Sequence, residues 1–147
     1  MKPINEMRLK FDSRSVNESF GRVAVAAFAS QLDPNIEELS DIKTAVSEAV
    51  TNCIVHAYAD TLGPVYIWAG IYDNGVIRIR IRDTGCGIPD IKQAMEPLFT
   101  TSGGERAGLG FAVMESFCDK IKVRSKVGKG TVVMLEKKIR GRESADD

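Results

Sequence analysis

The feature that most constrains the fold is a strand in which apolar and charged residues alternate without a break. In "VIRIRIRD" the isoleucines stand at 77, 79 and 81 and the arginines at 78, 80 and 82. A period of two predicts a half-buried β-strand whose isoleucines face a core and whose arginines face water. The run "PVYIWAGIY" precedes it, and Asn74-Gly75 between the two runs predicts a hairpin turn.

The arginine row has two interpretations. It could be a nucleic-acid patch, or it could be the solvated outer face of a half-buried sheet, which is the favoured interpretation. The chain has 20 basic and 20 acidic residues, and this net charge of zero gives no general attraction to nucleic acid or an anionic membrane. We expect no direct binding to either, and any polyanion must be bound by a local site.

The segments before the hairpin predict one strand and two helices. Residues 4–11 alternate loosely and are typical of a strand. Ser15 to Glu18 has the spacing of a capping box and leads into the apolar run "VAVAAFASQL". Asp33 is the expected N-cap of a second helix, which has Pro34 in its first turn and extends to about Tyr58.

The segments after the hairpin predict a short helix near residues 90–96, a helix over "GFAVMESFCDK" and a second hairpin formed by "KIKVRS" and "TVVMLEKKI". The order β-α-α-β-β-α-α-β-β predicts an α+β two-layer sandwich, in which helices cover one face of a mixed, mainly antiparallel sheet. With 147 residues, 44% of them apolar, we expect a single domain over residues 1–140 and a polar tail over 141–147.

Two features bear on the cellular compartment. The three cysteines are odd in number and show no CxxC spacing, which is typical of a reducing environment. The N-terminus lacks the apolar core of a signal peptide, and no stretch approaches the roughly 18 apolar residues that a transmembrane helix needs. We therefore expect a cytoplasmic protein.

The second helix carries polar residues along one edge of its apolar stripe. Glu48 and Asn52 are four positions apart, and His56 lies one turn further on the same face. The stripe itself consists of Leu39, Ile42, Val46, Ala49, Val50 and Cys53. A polar pair at the edge of a core is either a solvated helix edge or the wall of a cleft, and the helix alone does not decide between them.

Glycine-rich loops favour the cleft. "DTGCG" directly follows a strand, so Asp83 ends the strand while Gly85 and Gly87 permit a close approach to a ligand or a positive φ. "GLGFAV" opens a helix whose first amide groups suit phosphate oxygens. The chain has no GxxxxGK[ST] motif, and "GLGFAV" is not a dinucleotide fingerprint. "VGKGT" taken alone is a hairpin turn.

Taken in order, these segments resemble the motif boxes of one superfamily. "EAVTN", "DTGCG", "GLG" and "GKGT" match in order and approximate spacing the N, G1, G2 and G3 boxes of the ATPases and kinases named for gyrase, Hsp90, histidine kinases and MutL. The match extends over roughly residues 40–135. The resemblance implies a Bergerat-type ATP-binding fold with ATP or ADP and Mg²⁺ as cofactors.

A narrower resemblance covers nearly the full length. "RSVNESFGRVAVAAF", "LDPNIEEL", "IKTAVSEAVTN", "GIPDI" and "PLFTT" are similar to the small bacterial anti-sigma factor serine kinases, and most similar to the anti-sigma F group of sporulation. The segment "ERAGLG", which leads into the GLG motif, is slightly shorter than in those proteins, so the length and contacts of their lid do not transfer directly to this chain.

The resemblance implies a role for each matching residue. Asp83 would accept a hydrogen bond from the adenine amino group, Asn52 would give its amide oxygen to Mg²⁺, and Glu48 would be the general base. Arg106 would clamp the terminal phosphoryl group as a second catalytic residue. The other nucleotide-binding residues would be Gly85, Gly87, Thr100, Thr101, Gly108, Leu109, Gly110 and Thr131. The segment "EPLFTTSGGERAG" would be a mobile lid, and its alternative is an ordinary surface loop.

The motifs do not decide what Glu48 deprotonates, because the same site serves hydrolysis or the phosphorylation of histidine or serine. A histidine kinase needs an acceptor histidine on a separate helical hairpin, whereas the single histidine here, His56, lies in the ATP helix. The nucleophile is therefore expected on another protein.

This resemblance implies a homodimeric kinase that sequesters a sigma factor and phosphorylates an anti-anti-sigma protein on serine. Glu18 and Arg22 in the first helix would contact the partner, unless they form only a surface ion pair worth about 0.3–0.5 kcal/mol. Two alternatives stay open. One is a nucleotide-gated module that binds sigma without phosphotransfer, and the other is a general-stress kinase of the sigma B type.

Overall fold

The predicted hairpin lies in the middle of a five-stranded sheet. In the computed structural model, which describes residues 1–95 and 104–141 and omits the side chains of 104–109, the hairpin strands are β2 (Pro64–Ile71) and β3 (Val76–Asp83). The other strands are β1 (Asn5–Asp12), β4 (Lys120–Lys126) and β5 (Gly130–Lys138). The spatial order is β1-β2-β3-β5-β4, and all four neighbouring pairs are antiparallel.

The helices lie on one face of this sheet, as predicted for an α+β sandwich. They are α1 (Val16–Ala29), α2 (Ile36–Asn52), α3 (Ile91–Ala94) and α4 (Gly104–Phe117). A 3₁₀ turn over Ser30–Leu32 follows α1, and a π-helical turn over Cys53–Ala57 follows α2. Among the described residues, no helix combines the length and the apolar character needed to cross a bilayer.

The alternation in β3 sets the two faces of the sheet. Ile77, Ile79 and Ile81 are each no more than 3% exposed and pack against the helices, whereas the arginines between them lie on the opposite face. The predicted stripe of α2 is buried against the same core, except that Leu39 is only half-buried. The hydrophobic free energy that holds the two layers together therefore comes from one continuous core.

The predicted helix caps need correction. Ser15 has helical dihedral angles and makes no side-chain cap, and the Glu18 carboxylate instead accepts a hydrogen bond from the Ser47 hydroxyl of α2. Asp33 is not the N-cap of α2, because it adopts a left-handed conformation (φ 51°) that closes the 3₁₀ turn. Asn35 is extended and caps α2, forming a complete capping box with Glu38.

Two predicted helix boundaries are also wrong. The α-helical part of α2 ends at Asn52 rather than near Tyr58, because the chain widens into the π turn, whose closing bond runs from Tyr58 N to Cys53 O at 3.1 Å. Helix α4 begins at Gly104 rather than at Gly110. Glycines give little helix signal, and α4 forms here where it packs along α2.

Glu38 fastens the end of the sheet to the start of α2. Its carboxylate accepts hydrogen bonds from the backbone N–H groups of Asn35, Arg140 and Gly141 at 3.0, 2.7 and 3.1 Å. Burial acts to raise the pKa of Glu38, but the three backbone bonds and the nearby Lys137 charge together lower it below its ordinary value of 4.5. The ionised carboxylate is thus the form that the fold stabilises.

We expect Glu38→Gln to lower the free energy of unfolding by about 1.5–3 kcal/mol near neutral pH, because the amide nitrogen replaces an acceptor with a donor that faces other donors. A lowered pKa contributes stability above pH 4.5 that is lost as the pH falls through the folded-state pKa. The free energies of unfolding of the two proteins should therefore become equal in acid. Urea unfolding across pH measures this, and the exposed Glu37→Gln is the control. A difference in the free energy of unfolding that stays constant down to the lowest pH would contradict this expectation.

Candidate functional site

One cavity brings together residues that the sequence placed in three separate motifs. It lies between the C-terminal half of α2 with its π turn and the ends of β3 and β5, and it measures about 460 Å³ out to its open mouth. Its lining includes Asn52, Asp83, Gly87 and Thr131, together with His56 of the π turn. The rest of the wall is mainly apolar and consists of Ala49, Cys53, Ala57, Ile81, Cys86, Ile88, Phe111 and Val133. Such a cavity suits a flat apolar ligand with a few polar contacts.

Asp83 is the buried charge of this cavity. It is 5% exposed, and its Oδ1 accepts hydrogen bonds from the N–H groups of Gly85 at 2.9 Å and Thr131 at 3.2 Å. Burial raises the pKa of Asp83 above its ordinary value, while the two amides, the Cys53 thiol and the Arg82 charge act in the opposite direction. The carboxylate therefore joins the end of β3 to the start of β5 and keeps a second oxygen for other contacts.

The π turn positions the loop that follows Asp83. Ala57 O accepts from Cys86 N at 3.2 Å, and the Tyr58 hydroxyl accepts from Thr84 N at 2.6 Å while donating to Pro64 O at 2.7 Å. A Cβ at Gly85 would lie 2.4 Å from Ala57 O, so only glycine permits this approach. The widened turn thus presents to the loop a carbonyl and a hydroxyl that a regular helix would not.

The opposite side of the loop contacts the β4–β5 turn. Gly87 has a φ of 78°, and a Cβ there would lie 2.3 Å from Lys126 O. Gly128 N donates to Cys86 O at 2.8 Å. The "DTGCG" loop is therefore held between the π turn and the second hairpin, which explains in packing terms why both of its predicted glycines are needed.

Thr131 is oriented by a serine that the sequence analysis did not select. Ser125 Oγ accepts from Ile88 N at 2.7 Å and donates to Gly130 O at 3.0 Å, and it lies 2.7 Å from Thr131 Oγ1. Because the serine proton is used on Gly130 O, the Thr131 hydroxyl donates to Ser125 and keeps its lone pairs for the cavity. A signal was available, since Ser125 continues the inward register of Ile121 and Val123.

Glu48 and Asn52 lie together against Gly110 of α4. A Cβ at Gly110 would be 3.2 Å from Glu48 Oε2 and 3.3 Å from Asn52 Oδ1. Asn52 Nδ2 is buried and has no hydrogen-bond partner among the described residues. A buried amide of this kind is typical of a group that binds a ligand. The cleft interpretation of the α2 edge therefore describes the geometry better than a solvated helix edge.

The structure places the remaining predicted residues as follows. Gly108 and Leu109 belong to α4, with their backbone inside the helix rather than at its start. Thr100 and Thr101 lie outside the described residues, and so does the side chain of Arg106. Glu18 and Arg22 form an i,i+4 ion pair of 3.3 Å on the side of α1 that faces α2, apart from the cavity. Their binding role stays a prediction.

Comparison with known proteins places this site in a family. Residues 12–137 match the family described as the histidine kinase-like ATPase domain. The chain is 59% identical over 136 residues to the anti-sigma F factor of Caldanaerobacter subterraneus subsp. tengcongensis, covering 92% of this chain and 94% of that protein. It is 53% identical over 136 residues to the anti-sigma F factor of Geobacillus kaustophilus, covering 92% and 93%. The chain belongs to the anti-sigma F factor family.

A solved structure agrees on the fold of this anti-sigma F family member. The crystal structure of the RsbU and RsbW domains of Rv1364c from Mycobacterium tuberculosis superposes with a TM-score of 0.68 at 18% identity. The match covers 93% of this chain and 33% of that longer one. Together with the ATPase domain of the family, the mainly apolar cavity with its buried carboxylate identifies a nucleotide-binding domain.

Cys86 gives a chemical test of the cavity. Its thiol is exposed at the cavity wall, whereas burial raises the pKa of Cys53 well above its ordinary value and that of Cys118 to about 11. A thiol-alkylating reagent should therefore modify Cys86 first, since thiolates are the reactive form. We expect the bulky adduct to abolish nucleotide binding measured by calorimetry. Cys86→Ser treated in the same way should bind normally, and unchanged affinity after confirmed modification of Cys86 would show that it lies off the site.

Proposed function

We propose that this chain is an ATP-dependent serine kinase that binds and inhibits a sporulation sigma factor and phosphorylates its anti-anti-sigma protein. The observation that carries the proposal is that Asn52 and Asp83 line one cavity, while Glu48 lies next to Asn52 against Gly110. Phosphoryl transfer from a purine nucleotide can use a carboxylate as general base, an amide that binds the metal ion, and a second carboxylate that binds the purine. The family membership and the names of the relatives support the same conclusion.

Asp83 and Thr131 would recognise the adenine base through hydrogen bonds. Asp83 Oδ1 is committed to two backbone amides, so we assign Oδ2 to the exocyclic amino group of the base. The Thr131 hydroxyl, turned outward by Ser125, would accept a second hydrogen bond directly or through water. The apolar wall formed by Ile81, Ile88 and Val133 would cover the ring faces.

Asn52 and Glu48 fit the requirements of the phosphate end. Mg²⁺ takes one or two protein oxygens and completes its octahedron with phosphates and water. The Asn52 amide oxygen could supply one such contact, and Nδ2, which has no partner among the described residues, could donate to a phosphate oxygen. When bound, the ion would neutralise charge on the phosphates. Gly110 leaves room beside both side chains, and Arg106 would stabilise the terminal phosphoryl group.

Backbone amides would contact the phosphates only after a local change. Inside a helix the N–H groups of Gly108, Leu109 and Gly110 are directed to carbonyls four residues earlier, so they are not available as they stand. Phosphate contact by these amides would require the first turns of α4 to open. Thr100 and Thr101 would contribute from the lid.

Glu48 would accept the proton of an attacking serine hydroxyl supplied by another protein. The oxygen of that serine would bond to the terminal phosphorus as the bond from that phosphorus to the bridging oxygen breaks, leaving ADP. The Glu48 carboxylate lies next to Asn52 and Gly110, so an alcohol brought to the terminal phosphate beside Asn52 would be near it. His56 contributes to the cavity wall and has no assigned part in phosphoryl transfer.

The partner proteins would contact α1, and we infer a homodimer from the family resemblance. Glu18 and Arg22 are partly exposed, with 24% and 37% of their side chains accessible. On a different side of the same helix, Val16, Phe20 and Val23 are exposed apolar residues, which are typical of an association surface. This helix therefore offers both a charged and an apolar surface to other chains.

We expect Asp83→Asn to keep the fold and to weaken adenine-nucleotide binding by roughly 5- to 150-fold. The new Oδ1 retains both amide bonds, but Nδ2 presents a donor to the adenine amino group, a mismatch that costs about 1–3 kcal/mol. Because burial raises the pKa of Asp83, affinity in the wild type should fall on acidification at a higher pH than an ordinary aspartate gives, as the protonated form stops accepting. The variant should lack this pH dependence. Calorimetry measures the affinity and its pH dependence. An identical pH profile in the two proteins would show that Asp83 does not bind the base.

Glu48→Gln tests the kinase itself. With labelled ATP and a cognate anti-anti-sigma protein, we expect phosphotransfer to fall by about 10²- to 10⁴-fold, while nucleotide binding changes little, because the variant loses only the general base. Glu115→Gln, on the exposed surface of α4, is the matched control. If the wild type transfers no phosphate yet binds its sigma factor only with nucleotide, the protein is a gated binding module. Pull-down with sporulation and stress sigma factors identifies the partner.

A further inference from the structure

The face of the sheet that the helices leave uncovered carries half of the positive charge of the chain. We call it the outer face. The strand registers place ten of the 20 lysines and arginines on it. They are Arg8, Lys10, Arg78, Arg80, Arg82, Lys120, Lys122, Arg124, Lys126 and Lys138. Of the 20 acidic residues, only Glu6, Asp12 and Glu136 share this face.

Although the net charge is zero, the positive and negative charges are therefore distributed unevenly over the molecule. The outer face is formally positive, and the balancing negative charge lies on the remainder of the chain. Clustered like charges repel one another, so without a partner such a face lowers stability. An ordinary solvated sheet face carries both signs in alternation, which this one does not.

Aromatic rings hold three of the arginines in place. The guanidinium carbon of Arg82 lies 4.0 Å from the ring centre of Tyr66, that of Arg80 lies 5.1 Å from Trp68, and that of Arg78 lies 5.0 Å from Tyr72. These cation–π contacts restrict the side chains and occupy a flat face of each guanidinium rather than its hydrogen-bonding edge, part of which Arg78 uses on Glu136. Less side-chain entropy is then lost on binding.

Strands β3, β5 and β4 shape the outer face into a trough. Arg78, Arg80 and Arg82 form one rim, Lys120, Lys122 and Arg124 form the other, and Val132 and Met134 of the intervening β5 form an uncharged floor. The rims are two strands apart, about 10 Å, and cations within a rim repeat about every 6.6 Å. Glu136 interrupts the trough at one end, where it pairs with Arg78 and Lys120.

We propose that this trough binds a single strand of nucleic acid. The repeat along each rim is close to the separation of neighbouring phosphates in an extended strand, so successive guanidinium and ammonium groups can each meet one phosphate. The bases would cover Val132 and Met134 and stack on the guanidinium planes. An acidic peptide could match the charges of the rims, but it has no flat group to cover the floor. A second copy of this chain, docked through its own outer face, would place positive charge against positive charge.

The test measures the binding of labelled oligothymidylate and oligouridylate by fluorescence anisotropy over a range of salt. We expect binding whose logarithm falls linearly with the logarithm of salt concentration, with a slope of about −2 to −3 for three or four phosphate contacts. Lys122→Gln with Arg124→Gln, on the exposed edge strand β4, should weaken binding about tenfold or more and make the slope less steep by about 1.4. Arg80→Gln tests the other rim independently.

Arg14→Gln with Lys43→Gln is the matched control, because it removes one positive charge before α1 and one within α2, neither of which is among the ten on the outer face. This control should bind like the wild type, and thermal unfolding and ATP affinity should be unchanged in all three variants. The absence of oligonucleotide binding at low salt, or equal weakening by the control, would overturn the proposal. So would poly-glutamate that competes as well as the oligonucleotide, since the trough would then serve an acidic protein. None of these outcomes bears on the kinase proposal.

Discussion

The structure of the site depends on one buried carboxylate. Asp83 ends β3 with its side chain directed away from water, and burying a charge in this way is costly unless it is hydrogen-bonded. Two backbone N–H groups, one from its own loop and one from the start of β5, provide that compensation. The same bonds fix the direction of the loop and the position of Thr131. The carboxylate that lines the cavity thus also organises its own surroundings.

The geometry around Asp83 explains why α2 ends in a π turn. A regular helix continued to Tyr58 would turn Ala57 O toward a residue further along the helix. The wider turn instead directs that carbonyl to the N–H of Cys86 and lets the Tyr58 hydroxyl reach Thr84. The helix gives up regular hydrogen bonding at its end and gains contacts to the loop, which is a common reason for π turns at functional sites. The π turn and the position of the loop are therefore parts of one arrangement.

The sequence predicted the sheet, and the grouping of Asn52, Asp83 and Thr131 in one place, better than the helix ends, for physical reasons. Alternation is a property of single strands, and Asn74-Gly75 specifies its own turn, so both were readable locally. Ser15-x-x-Glu18 and Asn35-x-x-Glu38 satisfy the same capping pattern, and only packing distinguishes them: Glu18 bonds to Ser47, whereas Glu38 lies beside Arg140 and Gly141. The inward position of Ser125 could be predicted from the alternation of β4, but its contact with Ile88, 37 positions away, and with Gly130 and Thr131 across the hairpin could not.

The alternation of β3 also connects the cavity to the outer face. Arg82 and Asp83 are neighbours in the chain but lie on opposite sides of the sheet, one on the positive rim and one in the cavity. Burial raises the pKa of Asp83, and the adjacent Arg82 charge opposes that shift and favours the ionised form. The alternation of this one strand therefore sets both the charge of the outer face and part of the electrostatic surroundings of the buried carboxylate.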